Sequence, residues 1–303
     1  MITDYNKLKG QILDLKYNRI QQGLGLGVPE VDEHIRWKRG SFDVVVGHAN
    51  TGKTTVILYL MTAFSMKHDL KWLVFSSENT SYSVARKILE FYTGKPITKL
   101  SDEEIGKALE WVERHFKIMD VEKLYTARTL LEEAKGILDA WHYDGMLIDP
   151  YNSLIKDKTL LRSVGGHEYD YQIASEIRLF CKQNDVAVWL NAHAVTEALR
   201  RVHPREHDYA GHPTPPSMAD VEGGGKWGNR ADAVYAIHRY TMHETDWMIS
   251  HVHVRKVKET ETGGRPTSID SPVPLRMNNG AAGFSFAGAD ILHEKYDNFK
   301  KLF

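Results

Sequence analysis

One cysteine in 303 residues, Cys181, leaves no partner for an internal disulfide, so packing alone must hold the fold. Its setting in DYQIASEIRLFCKQND, a helix-compatible stretch, reads as a buried structural thiol. No run approaches the roughly 18 uncharged apolar residues of a membrane-spanning helix. The amino terminus, MITDYNKLKG, has neither a signal peptide's hydrophobic stretch nor the acid-free composition of a transit peptide, so we expect a cytoplasmic chain without a membrane partner. A formal charge of −1 gives no overall bias toward nucleic acid, and any such binding must arise from local geometry. Internal repeats and low-complexity tracts are absent. What remains, 42% apolar and 26% charged residues, is enough for one large core or two modest ones.

Residues 47–54 read GHANTGKT, which meets the G-x-x-x-x-G-K-[ST] phosphate-binding pattern at every fixed position. Before it lies the β-branched run FDVVV; after it, residues 55–66 are apolar and suited to a helix. The pattern therefore stands between a strand and a helix, where it has physical meaning. Gly47 and Gly52 let the backbone curl so that amide groups near Asn50, Thr51 and Thr55 face phosphates. Lys53 reaches the β and γ oxygens, and Thr54 holds Mg²⁺. ATP and Mg²⁺ are the expected cofactors.

From Gly40 onward, strand-like and helix-like segments alternate, which predicts an α/β fold with a mostly parallel sheet flanked by helices. The expected strands are 44–47, 71–76, 145–149 and 186–190; the expected helices are 55–66, 82–92, 102–116, 130–140 and 171–183. In the last third, segments 233–237, 248–257, 268–275 and 283–286 look like strands without intervening helices. They suit an antiparallel extension of the same sheet. Near the start, Tyr5, Leu8, Ile12 and Leu15 fall on one face of a short helix, cut off by glycines 23, 25 and 27. We divide the chain into a linker helix at 1–22 and one ATPase domain at 23–303. Two long irregular stretches, 156–170 and about 200–230, follow strand ends where open parallel sheets place their ligands.

Asp149 ends the apolar strand MLI, a carboxylate placed to hold the metal beside Thr54. Glu78 closes the strand LVFSS; if chain order is followed, that strand lies next to the phosphate-loop strand, and Glu78 suits a general base acting on water.

In order and spacing, GVPEVD, RG, GHANTGKTT, VFSSENTSYSVARKILEF, IDPYNSL, the AH dipeptide after VAVWL, GGGKWGNRADAVYAIHR and VRKVKETETGGRPT resemble the motor domain of the DnaB-like replicative helicases, within the RecA-like ATPases. The resemblance covers roughly residues 20–277. It implies that Glu78 is the catalytic base and Asp149 the metal-holding aspartate. It also implies that His193 senses the γ-phosphate and that Arg239 lies against the nucleotide base. The family's K-x-R pair, in which arginine enters the neighbouring subunit's site as a finger, falls here on Lys256 and Lys258, so the pair reads K-x-K. Lysine carries the charge without arginine's planar fork, and either Lys258 or Arg255 takes the role. By the same resemblance, Arg200, Arg201, Gly223, Gly224, Gly225 and Lys226 grip the backbone of single-stranded DNA in the channel of a homo-hexamer. A separate primase or polymerase is a possible partner.

Between residues 196 and 230 there are five basic and five acidic residues, so charge alone does not mark this loop. The argument is geometric: a glycine run admits close approach to phosphates, and copies in a ring multiply weak contacts. His203, His207 and His212 share the loop, but their spacings without cysteine or helical pattern do not make a zinc site. The residues leave two alternatives open: a RecA-type strand-exchange protein, and a nucleotide-gated assembly ATPase that touches no DNA.

Overall fold

A computed structural model describes residues 4–17, 22–278 and 280–293. In chain order the elements are α1 (Tyr5–Lys16), α2 (Pro29–Asp32), β1 (Phe42–Gly47), α3 (Lys53–His68), β2 (Trp72–Ser76), α4 (Ser81–Thr93), α5 (Asp102–His115), β3 (Phe116–Ile118), α6 (Ala127–Ala140), β4 (Gly145–Asp149), α7 (Lys158–Asn184), β5 (Ala187–His193), α8 (Lys226–Arg230), β6 (Ala233–His238), β7 (Ile249–Val257), β8 (Val273–Met277), β9 (Phe284–Phe286) and β10 (Ala289–Asp290). They form one ten-stranded sheet in the order β10-β9-β8-β7-β6-β1-β5-β4-β2-β3.

The six strands from β6 to β3 are mutually parallel, and β7 to β10 add on antiparallel. Every residue of β1, β2 and β4 is buried, as expected for strands covered on both faces. One core layer packs α3, α4 and the amino-terminal segment against the sheet; the other packs α6, α7 and α8 on the opposite face. Cys181 lies in the second layer, fully buried, and burial pushes its thiol pKa up.

Several expectations need correction. The strand leading to Glu78 is not beside β1: β5 and β4 lie between β2 and β1. Parallel strands are joined by crossovers, so order in the chain is not order in the sheet. The stretch 156–170 is not irregular, because α7 begins at Lys158, where the Asp157 carboxylate caps the amides of Thr159 and Leu160. The only departure is a kink, with Gly165 at φ 75° inside an otherwise helical run that buries Leu160, Tyr169 and Ile173.

Nor is 200–230 structureless. His203 and His212 pair through the main chain at 2.9 Å, Thr214 N donates to Arg201 O at 2.8 Å, and Arg201 forms an ion pair with Asp220. Trp227 in α8 is fully buried against Tyr151 and Phe42. The strand expected at 268–275 is β8, shifted to Val273–Met277, and the short strands β3 and β10 were not anticipated.

The glycines at 23, 25 and 27 do not form a loose break either. Leu24 bridges Trp37, and the Asp32 carboxylate accepts the Gly27 amide at 2.9 Å. Tyr5, Leu8 and Ile12 stand exposed on α1. The side chain of Leu15, and residues 1–3 and 18–21 of the expected linker, lie outside the described residues.

At the far edge, β9 returns to the helix that follows the phosphate loop. Tyr59 of α3 packs on Phe284 with ring centroids 5.0 Å apart, and its hydroxyl donates to Phe284 O at 3.1 Å. Phe91 of α4 completes the contact.

Candidate nucleotide site and its connection to the long loop

β1 delivers Gly47 to a crowded place, where a Cβ would meet the Ile237 carbonyl oxygen at 2.6 Å. The chain then turns through Asn50 at φ 60° and Gly52 at φ 84°, and Gly52 caps α3. Left-handed backbone at these positions aims the first amides of α3, including those of Thr54 and Thr55, toward the space a phosphate would occupy. Thr51 Oγ1 donates to the His48 carbonyl at 2.9 Å. Lys53 is buried, and its ammonium donates to the carbonyls of Gly47 at 3.0 Å and His48 at 2.9 Å. Burial pulls its pKa down to about 8 against the opposing pull of Asp149 and Glu78.

Asp149, at the end of β4, accepts Thr54 Oγ1 at 2.8 Å and Asn191 Nδ2 at 2.7 Å, with Ser76 Oγ at 3.3 Å. Burial raises its pKa. The metal-holding pair expected from sequence therefore meets. Its donors are hard oxygens, and two further buried oxygens beside them, Asn191 Oδ1 and Ser77 Oγ, have no hydrogen-bond partner. This set fits Mg²⁺.

Glu78 and His193, 115 residues apart in the chain, come together with His193 Nε2 3.2 Å from Glu78 Oε1. Asn152 binds the other side of His193, its Oδ1 accepting the His193 amide at 3.0 Å, while its amide nitrogen donates to Glu222. Main-chain pairing continues past the end of β5 at His193. Glu222 N donates to His193 O at 2.9 Å, Val195 N donates to Asp220 O at 2.8 Å, and Ala194 bridges Val221. One residue beyond Glu222 begins Gly223-Gly224-Gly225. Gly223 and Gly224 have φ of 94° and 87°, and Lys226 opens α8.

Arg239 lies over the phosphate loop, with Nη2 3.4 Å from Asn50 O. Burial lowers its pKa. Lys256, the first of the K-x-K pair, donates its ammonium to the Gly228 and Ala231 carbonyls, both at 2.7 Å, at the end of α8. Lys258 is exposed just past β7, whose end pairs with the start of β6, and so lies at the opposite end of the parallel strands from Lys53. Arg255 is half-buried near Asp220 and Tyr240, with an unpartnered Nε. Arg200 is exposed, whereas Arg201 is tied to Asp220.

No protein-family profile matches the chain. Among solved structures, the ATPase domain of G40P superimposes with a TM-score of 0.73 at 14% identity, covering 94% of this chain and 99% of that one. The structure of a DnaB-like replicative helicase, described together with its interactions with primase, gives a TM-score of 0.69 at 16% identity, covering 94% of this chain and 67% of that one. The chain has the fold of a DnaB-like ATPase domain. This is a RecA-like α/β fold with an antiparallel extension, as the sequence resemblance implied. A KaiC-like protein from Pyrococcus horikoshii shares the fold more distantly, with a TM-score of 0.55 at 15% identity over 88% of this chain and 99% of that one. In sequence, the chain is similar to the Twinkle homolog protein, chloroplastic/mitochondrial, of Arabidopsis thaliana, at 25% identity over 83% of this chain. It spans 36% of that relative's length.

Within this DnaB-like fold, sequence reasoning missed Asn191, Asn152, Ser76 and His48. Asn191 left a trace, a polar residue in the otherwise apolar run VAVWLNAH. Asn152 left none, because its partners are 41 and 70 residues away.

Proposed function

We propose that this chain is the motor of a ring-shaped replicative DNA helicase, which hydrolyses ATP with Mg²⁺ in a cleft shared between adjacent copies and moves along single-stranded DNA. The observation that carries this reading is the position of His193. Its ring meets Glu78, and its backbone pairs directly with the segment leading into Gly223-Gly224-Gly225. A change at the terminal phosphate is thereby one residue from the loop assigned to DNA.

The phosphate-loop residues Gly47, Asn50, Thr51, Gly52, Lys53 and Thr55 hold the triphosphate, and Arg239 lies against the base. Thr54 and Asp149 would hold Mg²⁺, which would supply positive charge to offset the negative charge on the phosphate oxygens. Glu78 orients the attacking water and accepts its proton; His193 keeps the Glu78 carboxylate turned toward the phosphate. Lys258 is the finger for the neighbouring copy, since it stands exposed whereas Arg255 is half-buried and Lys256 meets the end of α8. Arg200, Arg201, the glycine run and Lys226 face the strand, and exchange of Arg201 from Asp220 to a phosphate would accompany binding. Residues 1–22 act as a linker helix whose exposed face docks on the next copy of a six-membered ring. The likeness to a helicase described with primase supports a separate primase or polymerase as partner.

Glu78→Gln should lower DNA-stimulated ATP turnover by at least about 100-fold while leaving nucleotide affinity within about threefold. Full turnover would remove Glu78 from its role. Electron microscopy with a non-hydrolysable ATP analogue and oligo-dT should give closed six-fold rings. Filaments would favour strand exchange, and failure to bind oligo-dT at low salt would favour an assembly ATPase.

A further inference from the structure

The phosphate loop carries a side chain that the nucleotide chemistry does not use. His48 is 4% exposed and turns away from the phosphate side onto the end of β6, where its ring meets His238 edge-on at 5.9 Å. His238 in turn packs on Tyr240 at 4.6 Å. Tyr240 belongs to neither loop nor phosphate site, but it is the seat of the 201–214 hairpin. Tyr209 stacks on it at 3.6 Å, and His203 Nε2 lies 2.9 Å from its hydroxyl. The rings of His48, His238, Tyr240, Tyr209 and His203 thus form a continuous series from the phosphate loop to the hairpin.

The hairpin also reaches back directly, its Thr214 main chain facing His48 and its Pro213 main chain facing His238. Asp220, Arg201 and Lys53 are the charged groups nearest His48, and His251, His203 and His48 itself surround His238. Burial holds the His238 pKa down to about 3, so these rings act by shape and contact and not by charge. His48 Nε2 and both ring nitrogens of His238 are buried without a hydrogen-bond partner, so no polar contact locks these two rings to each other.

We propose that His48 is a positioning residue through which occupation of the triphosphate site moves the 201–214 hairpin, by a route separate from the one through His193. The lever is Lys53, whose ammonium donates to the His48 carbonyl. A triphosphate draws that ammonium toward its own oxygens and releases the carbonyl, and the His48 ring shifts against His238. His193 governs residues 220–222; His48 governs residues 201–214. The proposal rests on the helicase reading only in treating the hairpin as the nucleic-acid side.

The test is amide hydrogen exchange of the full chain with and without a saturating non-hydrolysable ATP analogue and Mg²⁺. The wild type should show a nucleotide-dependent change in exchange across both 201–214 and 220–222. In His48→Ala the change at 201–214 should fall at least fivefold while that at 220–222 persists. A purely structural defect would instead raise exchange equally with and without nucleotide. His238→Leu, which keeps the volume and leaves the phosphate loop intact, should give the same loss and carries the test if His48→Ala does not fold. An unchanged response at 201–214 in either folded variant, or no response there in the wild type, overturns the proposal. A response that the variants abolish in a chain that fails to bind oligo-dT would uphold the coupling and defeat the helicase reading instead.

Discussion

Replacing Lys53 with methionine should make the nucleotide-free protein more stable while abolishing its response to ATP. In the folded chain Lys53 is 7% exposed and its pKa falls from 10.5 to about 8, mainly through loss of solvation. Keeping it charged at pH 7 therefore costs about 3 kcal/mol relative to the unfolded chain. Its two acceptors do not depend on it. Gly47 O also accepts the Ala194 amide at 3.1 Å, and His48 O accepts Thr51 Oγ1 at 2.9 Å, so neither carbonyl is stranded when the lysine goes. Methionine fills a similar volume, and a net gain of about 2 kcal/mol is expected after allowance for the two lost hydrogen bonds.

The sign with pH follows from the direction of the shift. The penalty is complete below about pH 8 and is relieved as the pH rises from 8 toward 10.5, where the folded chain has released the proton and the unfolded chain has not. The advantage of Lys53→Met should thus narrow by roughly 2 kcal/mol between pH 7 and pH 9.5. Thermal and urea unfolding, with and without a Mg²⁺-ATP analogue, measures both effects. In the wild type, ligand at a hundred times its Kd adds about 2.7 kcal/mol, and in Lys53→Met it should add nothing. A variant that unfolds well below the wild type in the absence of ligand would refute the buried-charge argument. Retention of the ligand shift would place the triphosphate elsewhere.

Gly223→Ala should destabilise the fold by roughly 2 kcal/mol or more and weaken oligo-dT binding, because φ is 94° there and a Cβ would lie 2.7 Å from Trp227 Nε1 and 2.8 Å from Asp170 Oδ2. Wild-type stability in this variant would mean the glycine run has room to relax. Mixing Lys258→Ala with Lys53→Ala chains should recover up to roughly a quarter of wild-type turnover if each site takes one lysine from each neighbour, the interface being head-to-tail. No recovery at any ratio would exclude Lys258 as the finger. Asp43 is buried among the hydroxyl of Ser41, the Trp189 indole and the Ala233 amide; burial and then Asp232 raise its pKa to about 7. Its stabilising contribution is therefore present in acid and lost as the pH rises through 7. Urea unfolding from pH 5 to pH 7 should show a wild-type decline of about 1.4 kcal/mol per unit that Asp43→Asn lacks, and equal slopes would contradict it.

The phosphate loop could be read from eight consecutive letters because its function is written in local backbone shape. The strand ends at Asp149 and His193 were legible for a related reason: an apolar run stopping at a polar residue marks where a buried strand emerges. Neighbour relations were not. Glu78 lies opposite His193 only because β4 and β5 separate β2 from β1, and nothing within VFSSEN reports the order of strands in a sheet. The loop around 200–230 looked unstructured for a comparable reason. Its order comes from Arg201 meeting Asp220, Tyr209 stacking on Tyr240, and Trp227 entering the core, each a contact between segments that share no local pattern. The motif at Lys256 gave no sign of the two carbonyls at the end of α8 that its ammonium meets.

The short strand β9 buttresses the nucleotide cleft from behind. Phe284 packs on Tyr59, midway along the helix whose first turn carries Lys53 and Thr54, so α3 is held near its middle by the far side of the sheet. Loosening Phe284 should therefore be felt at the turn that carries Lys53 and Thr54, which makes a strand near the sheet's edge part of what shapes the candidate site.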